Sequence, residues 1–204
     1  MILLKLYLTL AAILLQSHGT TSLELDDLMT TNPDIQNEII NKHNDLRRIV
    51  DPPAKNMVKM SWHNTIAESA QRAALRCNYE LHTPASERTI DGVECGENYF
   101  ASSNPRTWSS CIQSWFDERN NFKYGFGPTK SGAMVGHYTQ VVWYNSYKVG
   151  CAINLCPDQR LKYFQVCQYC PGGNDEDREY EPYAIGEPCA ACPNDCDNGL
   201  CKIQ

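Results

Sequence analysis

Eleven cysteines fall between positions 77 and 201 of this 204-residue chain. In a secreted protein that many thiols form a disulfide framework, and an odd count leaves at least one without an intramolecular partner. An export signal is present. Lys5 precedes an apolar run from Leu6 to Leu15 broken only by Thr9, and the small residues Ser17 and Gly19 follow. The run is too short to span a bilayer, which takes about 20 residues, so residues 1–20 read as a cleaved signal peptide. No later run is long and apolar enough to span.

Lys and Arg number 18 against 24 Asp and Glu, a formal net charge of −6, and loss of Lys5 with the leader makes the remainder more acidic still. Such a chain repels phosphate backbones, and no basic stripe restores nucleic-acid binding. The acidity is concentrated late, from Asp175 to Glu187, which reads as a solvated linker over 175–188. No Asn-x-Ser/Thr sequon occurs. There is no Gly-x-Ser-x-Gly, His-Glu-x-x-His, phosphate loop or EF-hand.

Asn32-Pro33 can open a helix, and Ile35, Ile39, His43, Leu46 and Val50 recur on one face of it until Asp51-Pro52-Pro53 ends it. His43, on that apolar face, reads as a packed core histidine. Thr65-x-x-Glu68 has the form of a capping box, followed by a small-residue face at Ala67, Ala70, Ala74 and Cys77. Cys95 to Phe100 reads as a short strand. Trp108, Cys111, Ile112, Trp115 and Phe116 recur as a third helix, and a loop runs from Asn120 to Pro128. Gly136–Tyr144 and Tyr163–Asn174 are rich in aromatic and β-branched residues and read as strands. Between them, Asn154 to Gln159 marks a turn. Cys151 and Cys167 stand equally far either side of Gln159, so an antiparallel hairpin sets them opposite one another, within disulfide reach. Helices before and between antiparallel strands predict an α+β domain.

The segments Gly136-His137-Tyr138-Thr139-Gln140 with Val142-Trp143, and Tyr163-x-x-x-Cys167-x-Tyr169-x-Pro171-x-Gly173-Asn174, resemble the two signature motifs of the CAP superfamily. That superfamily includes the cysteine-rich secretory proteins. The resemblance implies an α-β-α sandwich over residues 21–174 and, over 189–204, a short disulfide-rich hinge. It also implies that the ion-channel regulatory region of full-length members is lacking. By this likeness Cys77 pairs with Cys156, Cys95 with Cys170, Cys151 with Cys167, Cys189 with Cys196 and Cys192 with Cys201. From the residues alone, the last four cysteines allow three pairings, or a zinc site by ligand count, against which extracellular disulfides are the better reading. Cys111 is left over, either as a buried thiol or as the site of an intermolecular disulfide and so of a dimer.

The same likeness singles out His82, Glu97, Glu118 and His137 as lining the family's cleft. His82 and His137 would be ligands for a weakly held divalent metal such as zinc, with Glu97 and Glu118 as cleft-lining carboxylates, or the four would form a structural hydrogen-bond cluster in which the carboxylates orient the rings. No cofactor is required by this reading, and no catalytic residue or enzymatic activity is expected. The implied function is a secreted signalling or binding protein acting on a cell-surface receptor. The short members of amphibian egg jelly, which attract sperm, are the most similar in outline. Tyr163, Gln165, Gln168 and Tyr169 are the expected receptor-facing residues. A lipid- or sterol-binding protein and a venom-type channel modulator are the alternatives. Tyr138, Trp143 and Tyr144 could line a lipid groove but read as core.

Overall fold

A computed structural model describes residues 22–203; the expected signal peptide lies outside the described residues. In chain order the first elements are α1 (Pro33–Arg48), β1 (Ser61–Trp62), α2 (Asn64–Leu75), β2 (Thr89–Ile90), β3 (Val93–Glu94) and β4 (Gly96–Ser102). Then come α3 (Trp108–Asp117), β5 (Phe122–Lys123), β6 (Gly127–Pro128) and α4 (Gly136–Val141). The last are β7 (Lys148–Leu155), β8 (Tyr163–Cys170), β9 (Cys196–Asp197) and β10 (Leu200–Cys201). The main sheet runs β1-β7-β8-β4, antiparallel except for β1 on β7.

Strand alternation builds the three layers. Val149, Cys151, Ile153, Cys167 and Tyr169 point to one side, where they pack with Ile39 and Leu46 of α1, Ile112 and Phe116 of α3, and Tyr138 and Val141 of α4. Ala152, Phe164 and Val166 point to the other side and meet Ala70, Ala73 and Ala74 of α2. The result is the α-β-α sandwich. The approach of α2 is close enough to require a glycine, because a Cβ on Gly150 would stand 2.1 Å from the Ala67 backbone nitrogen.

The hairpin pairs Cys151 directly with Cys167, and the two are disulfide-bonded. The other bridges are Cys77–Cys156, Cys95–Cys170, Cys189–Cys196 and Cys192–Cys201. These are the five pairs the family resemblance implies. Cys111 is free, fully buried among the packed helices, and its thiol pKa is pushed well up by burial. A thiol with no exposed surface cannot reach a second molecule, so the structure gives no support to a Cys111-linked dimer.

Three segments differ from the sequence expectation. Gly136–Val141 is helical, not a strand. Glu118 Oε2 accepts the N–H groups of His137 and Tyr138 at 3.0 and 3.1 Å, capping the first turn of α4 from a distant part of the chain. Tertiary capping outweighs the β propensity of the segment. The Thr65/Glu68 capping box does not form either, because α2 begins at Asn64 behind His63, which makes no side-chain cap. Finally, residues 175–188 are not a free linker. Asp175–Asp177 are exposed, but Pro182 and Tyr183 are buried. The Pro182 carbonyl accepts from Tyr144 and the Ala184 carbonyl from Lys55, both through main-chain N–H groups. The cysteine-rich end docks too: Leu200 is fully buried in the main core, and Cys201 exchanges main-chain hydrogen bonds with Met57 and Lys59.

One side chain ties these parts together. Arg47, 1% exposed, donates five hydrogen bonds to the carbonyls of Val58, Val141, Trp143 and Tyr144. Burial lowers its pKa to about 9, so it stays charged at neutral pH without a carboxylate partner. Next to it, Asn44 bonds both the N–H and the carbonyl of Met60. His43 is buried as expected, between the Ile39 carbonyl at 2.8 Å and the Tyr169 hydroxyl at 3.0 Å.

Candidate functional site: a cleft of two histidine–glutamate pairs

Glu97 stands on β4, where register places it opposite Gln168 of β8. Its side chain is only 4% exposed. Oε1 accepts from the Thr83 N–H at 2.9 Å and meets His82 Nδ1 at 3.3 Å, while Oε2 accepts from Gln168 Nε2 at 2.8 Å. Burial pushes the Glu97 pKa up. The hydrogen bonds from His82, Thr83 and Gln168 together outweigh it and bring the pKa down to about 2. This carboxylate is therefore ionised and fully engaged.

Glu118 follows the end of α3. Besides the two α4 N–H groups, it meets His137 Nδ1 at 2.6 Å. Each imidazole thus turns Nδ1 to a carboxylate, and Nε2 is the nitrogen left to other partners. Tyr99 of β4 is the common neighbour of the two pairs, its ring centroid 4.9 Å from that of His82 and 6.2 Å from that of His137. Trp115 stacks on His137 with ring planes 16° apart, and its indole N–H bonds the Tyr99 carbonyl. A hollow of about 570 Å³ opens beside His82 and Glu97, floored by Gly96, Gln140 and the Pro171–Asn174 turn.

All four expected cleft residues therefore lie in one region, but as two hydrogen-bonded pairs and not one coordination set. Among the described residues no group of three or more His, Cys, Asp or Glu side chains is placed to hold a metal ion. The four residues thus form two hydrogen-bonded pairs, with the Nε2 of each histidine directed away from its carboxylate. Tyr99, Trp115 and the supporting role of Gln168 escaped sequence reasoning. The Glu97–Gln168 contact needs the β4–β8 register, which no local motif encodes.

The expected receptor-facing set is corrected as well. Gln165, Gln168 and Tyr169 are each 0% exposed, and only Tyr163 reaches the surface in part. Both sides of β8 are covered by helices, so alternation brings none of the three outward.

The profile of the CAP family, described as the cysteine-rich secretory protein family, matches residues 40–169. The chain belongs to this family. It is 83% identical over 201 residues to cysteine-rich venom protein VAR5 of Varanus acanthurus, covering 98% of this chain and 91% of the relative. It is 64% identical over 202 residues to cysteine-rich venom protein helothermine of Heloderma horridum horridum, covering 98% and 83% respectively. Among solved folds, NaASP2 with Zn²⁺ superposes with a TM-score of 0.67 at 30% identity, over 86% of this chain and 98% of that one. This CAP protein is secreted and extracellular, and no helix among the described residues is long and apolar enough to cross a membrane. Its near relatives are lizard venom proteins. They lend no support to the closer expectation of an egg-jelly sperm attractant of the allurin kind, or of a receptor on sperm.

Proposed function

We propose that this CAP protein is a venom-type ligand that acts without catalysis by binding a cell-surface target, of the ion-channel class that the family resemblance implies for venom members. The observation that carries the reading is 83% identity to a cysteine-rich venom protein across 98% of the chain. The cleft geometry favours binding over turnover, because Glu97 and Glu118 spend their oxygens on positioning and leave no carboxylate free to activate water. The test is saturable binding of fluorescently labelled, oxidised protein to intact excitable cells, with sperm as the comparison. Binding to excitable cells that unlabelled protein competes away and disulfide reduction abolishes supports the proposal. Saturable binding to sperm alone would return the attractant reading.

A further inference from the structure

A second hollow, about 710 Å³, shares no lining residue with the His/Glu cleft. Four rings line it: Phe116 from α3, Phe122 and Tyr124 from the β5–β6 hairpin, and Tyr138 from α4. Phe116 and Tyr138 are buried and form a fixed floor, edge-on to each other at 5.5 Å. Phe122 tilts against Tyr138 at 5.2 Å. The volume lies within the roughly 300–1,000 Å³ typical of small-ligand sites.

The polar lining is equally specific. Arg119 and Lys123 both border the hollow, and Asp51 is its one acidic lining residue, leaving a net positive charge. The Arg119 guanidinium lies 4.6 Å over the Phe116 ring, and Lys123 Nζ lies 4.2 Å from the Phe126 ring. Neither cation has a carboxylate within ion-pair distance among the described residues. Burial raises the pKa of the Tyr124 hydroxyl, with Glu181 adding to the rise and Arg178 opposing it. Two unneutralised cations at the rim of an aromatic hollow are unexpected in a chain of net charge −6.

We infer that this cavity binds a flat aromatic group carrying one negative charge, the chemistry of an aryl sulfate or aryl carboxylate. The partly exposed rings of Phe122 and Tyr124 would take the aromatic body by offset or edge contacts, above the buried floor of Phe116 and Tyr138. The guanidinium fork would take two oxygens of the anion side by side, and Lys123 would add a point charge. A cationic ligand meets the same two residues as repulsion. A neutral aromatic leaves them with water alone. The group could arrive as a free small molecule or as a sulfated tyrosine on an extracellular partner. The inference stands apart from the proposed cell-surface action, because it is read on purified protein.

The experiment is calorimetric or NMR titration of the oxidised protein with p-tolyl sulfate, with p-cresol and methyl sulfate as the uncharged and non-aromatic controls. Saturable binding of p-tolyl sulfate is expected, at least about tenfold tighter than either control and weakened by added salt. Arg119 and Lys123 are exposed, so the double variant Arg119→Gln/Lys123→Gln should fold normally and lose about tenfold or more in affinity. Tighter binding of a tyrosine-sulfated peptide than of p-tolyl sulfate would identify a peptide as the source, and equal affinity a free small molecule. No saturation at millimolar p-tolyl sulfate, or affinity unchanged in the double variant, overturns the inference.

Discussion

Replacing Arg47 by Met keeps the length of the side chain and removes all five of its hydrogen bonds. The four carbonyl acceptors remain in place, which decides the sign. Trp143 O also accepts from the Ser146 N–H and Tyr144 O from the Val58 N–H, but Val58 O and Val141 O have no other donor among the described residues. A buried acceptor left unsatisfied costs about 1–3 kcal/mol, so the two together cost about 2–6 kcal/mol. Relief from burying a charge offsets part of this. It cannot cancel it, because hydrophobic replacement is neutral only when both partners are replaced. A net loss of about 3 kcal/mol should lower Tm by roughly 6–12 °C for a domain of this size. Urea unfolding of the oxidised protein should show a lower midpoint with an unchanged m-value. Arg47→Lys should fall between the two, since an ammonium on a flexible stem cannot reach four carbonyls in a fixed fork. A Tm for Arg47→Met within about 2 °C of the parent would refute the view that this guanidinium joins α1 to the Trp143 segment.

Other predictions follow from single contacts. His43 has its pKa lowered to about 4 by burial, outweighing the bond to Ile39. The unfolded chain takes up that proton first, so stability falls as pH drops from about 6.5 to 4, by about 3 kcal/mol in all, and His43→Gln should flatten that slope in pH-dependent unfolding. Glu97, held at about 2, adds a further loss as pH falls from about 4.5 to 2, which Glu97→Gln should remove. Gly150→Ala forces a Cβ into the α2 backbone and should destabilise by about 1–3 kcal/mol or more, read by thermal unfolding. Cys111 should resist an aromatic disulfide reagent in the native state and react as a single thiol once denatured, with Cys111→Ala leaving sedimentation unchanged.

The sequence disclosed those parts whose signals are local. The Ile39/His43/Leu46 face of α1, the helical spacing from Trp108 to Phe116, and the symmetric placing of Cys151 and Cys167 about Gln159 each lie within one helix or one hairpin, and each has its counterpart in the fold. What was not legible depends on partners far along the chain. Gly136–Val141 is helical because Glu118 caps it, and nothing near Gly136 announces that donor-acceptor match. Tyr183 and Leu200 looked like parts of a linker and a separate hinge, yet each fills the main core. Gln165, Gln168 and Tyr169 were expected to face a receptor only because the family likeness implicates their segment. The sheet is covered on both sides, so their polar groups face inward. The cleft residues were located only through family likeness, and their division into two pairs followed from the sheet register and from α4.

Whole-cell recording from excitable cells during application of the purified, oxidised protein tests the central claim most directly, with a divalent-metal chelator present in a parallel arm. The account predicts a saturable change in current that survives the chelator and disappears on disulfide reduction. No change in any current at saturating protein, or a change that the chelator abolishes, would contradict it.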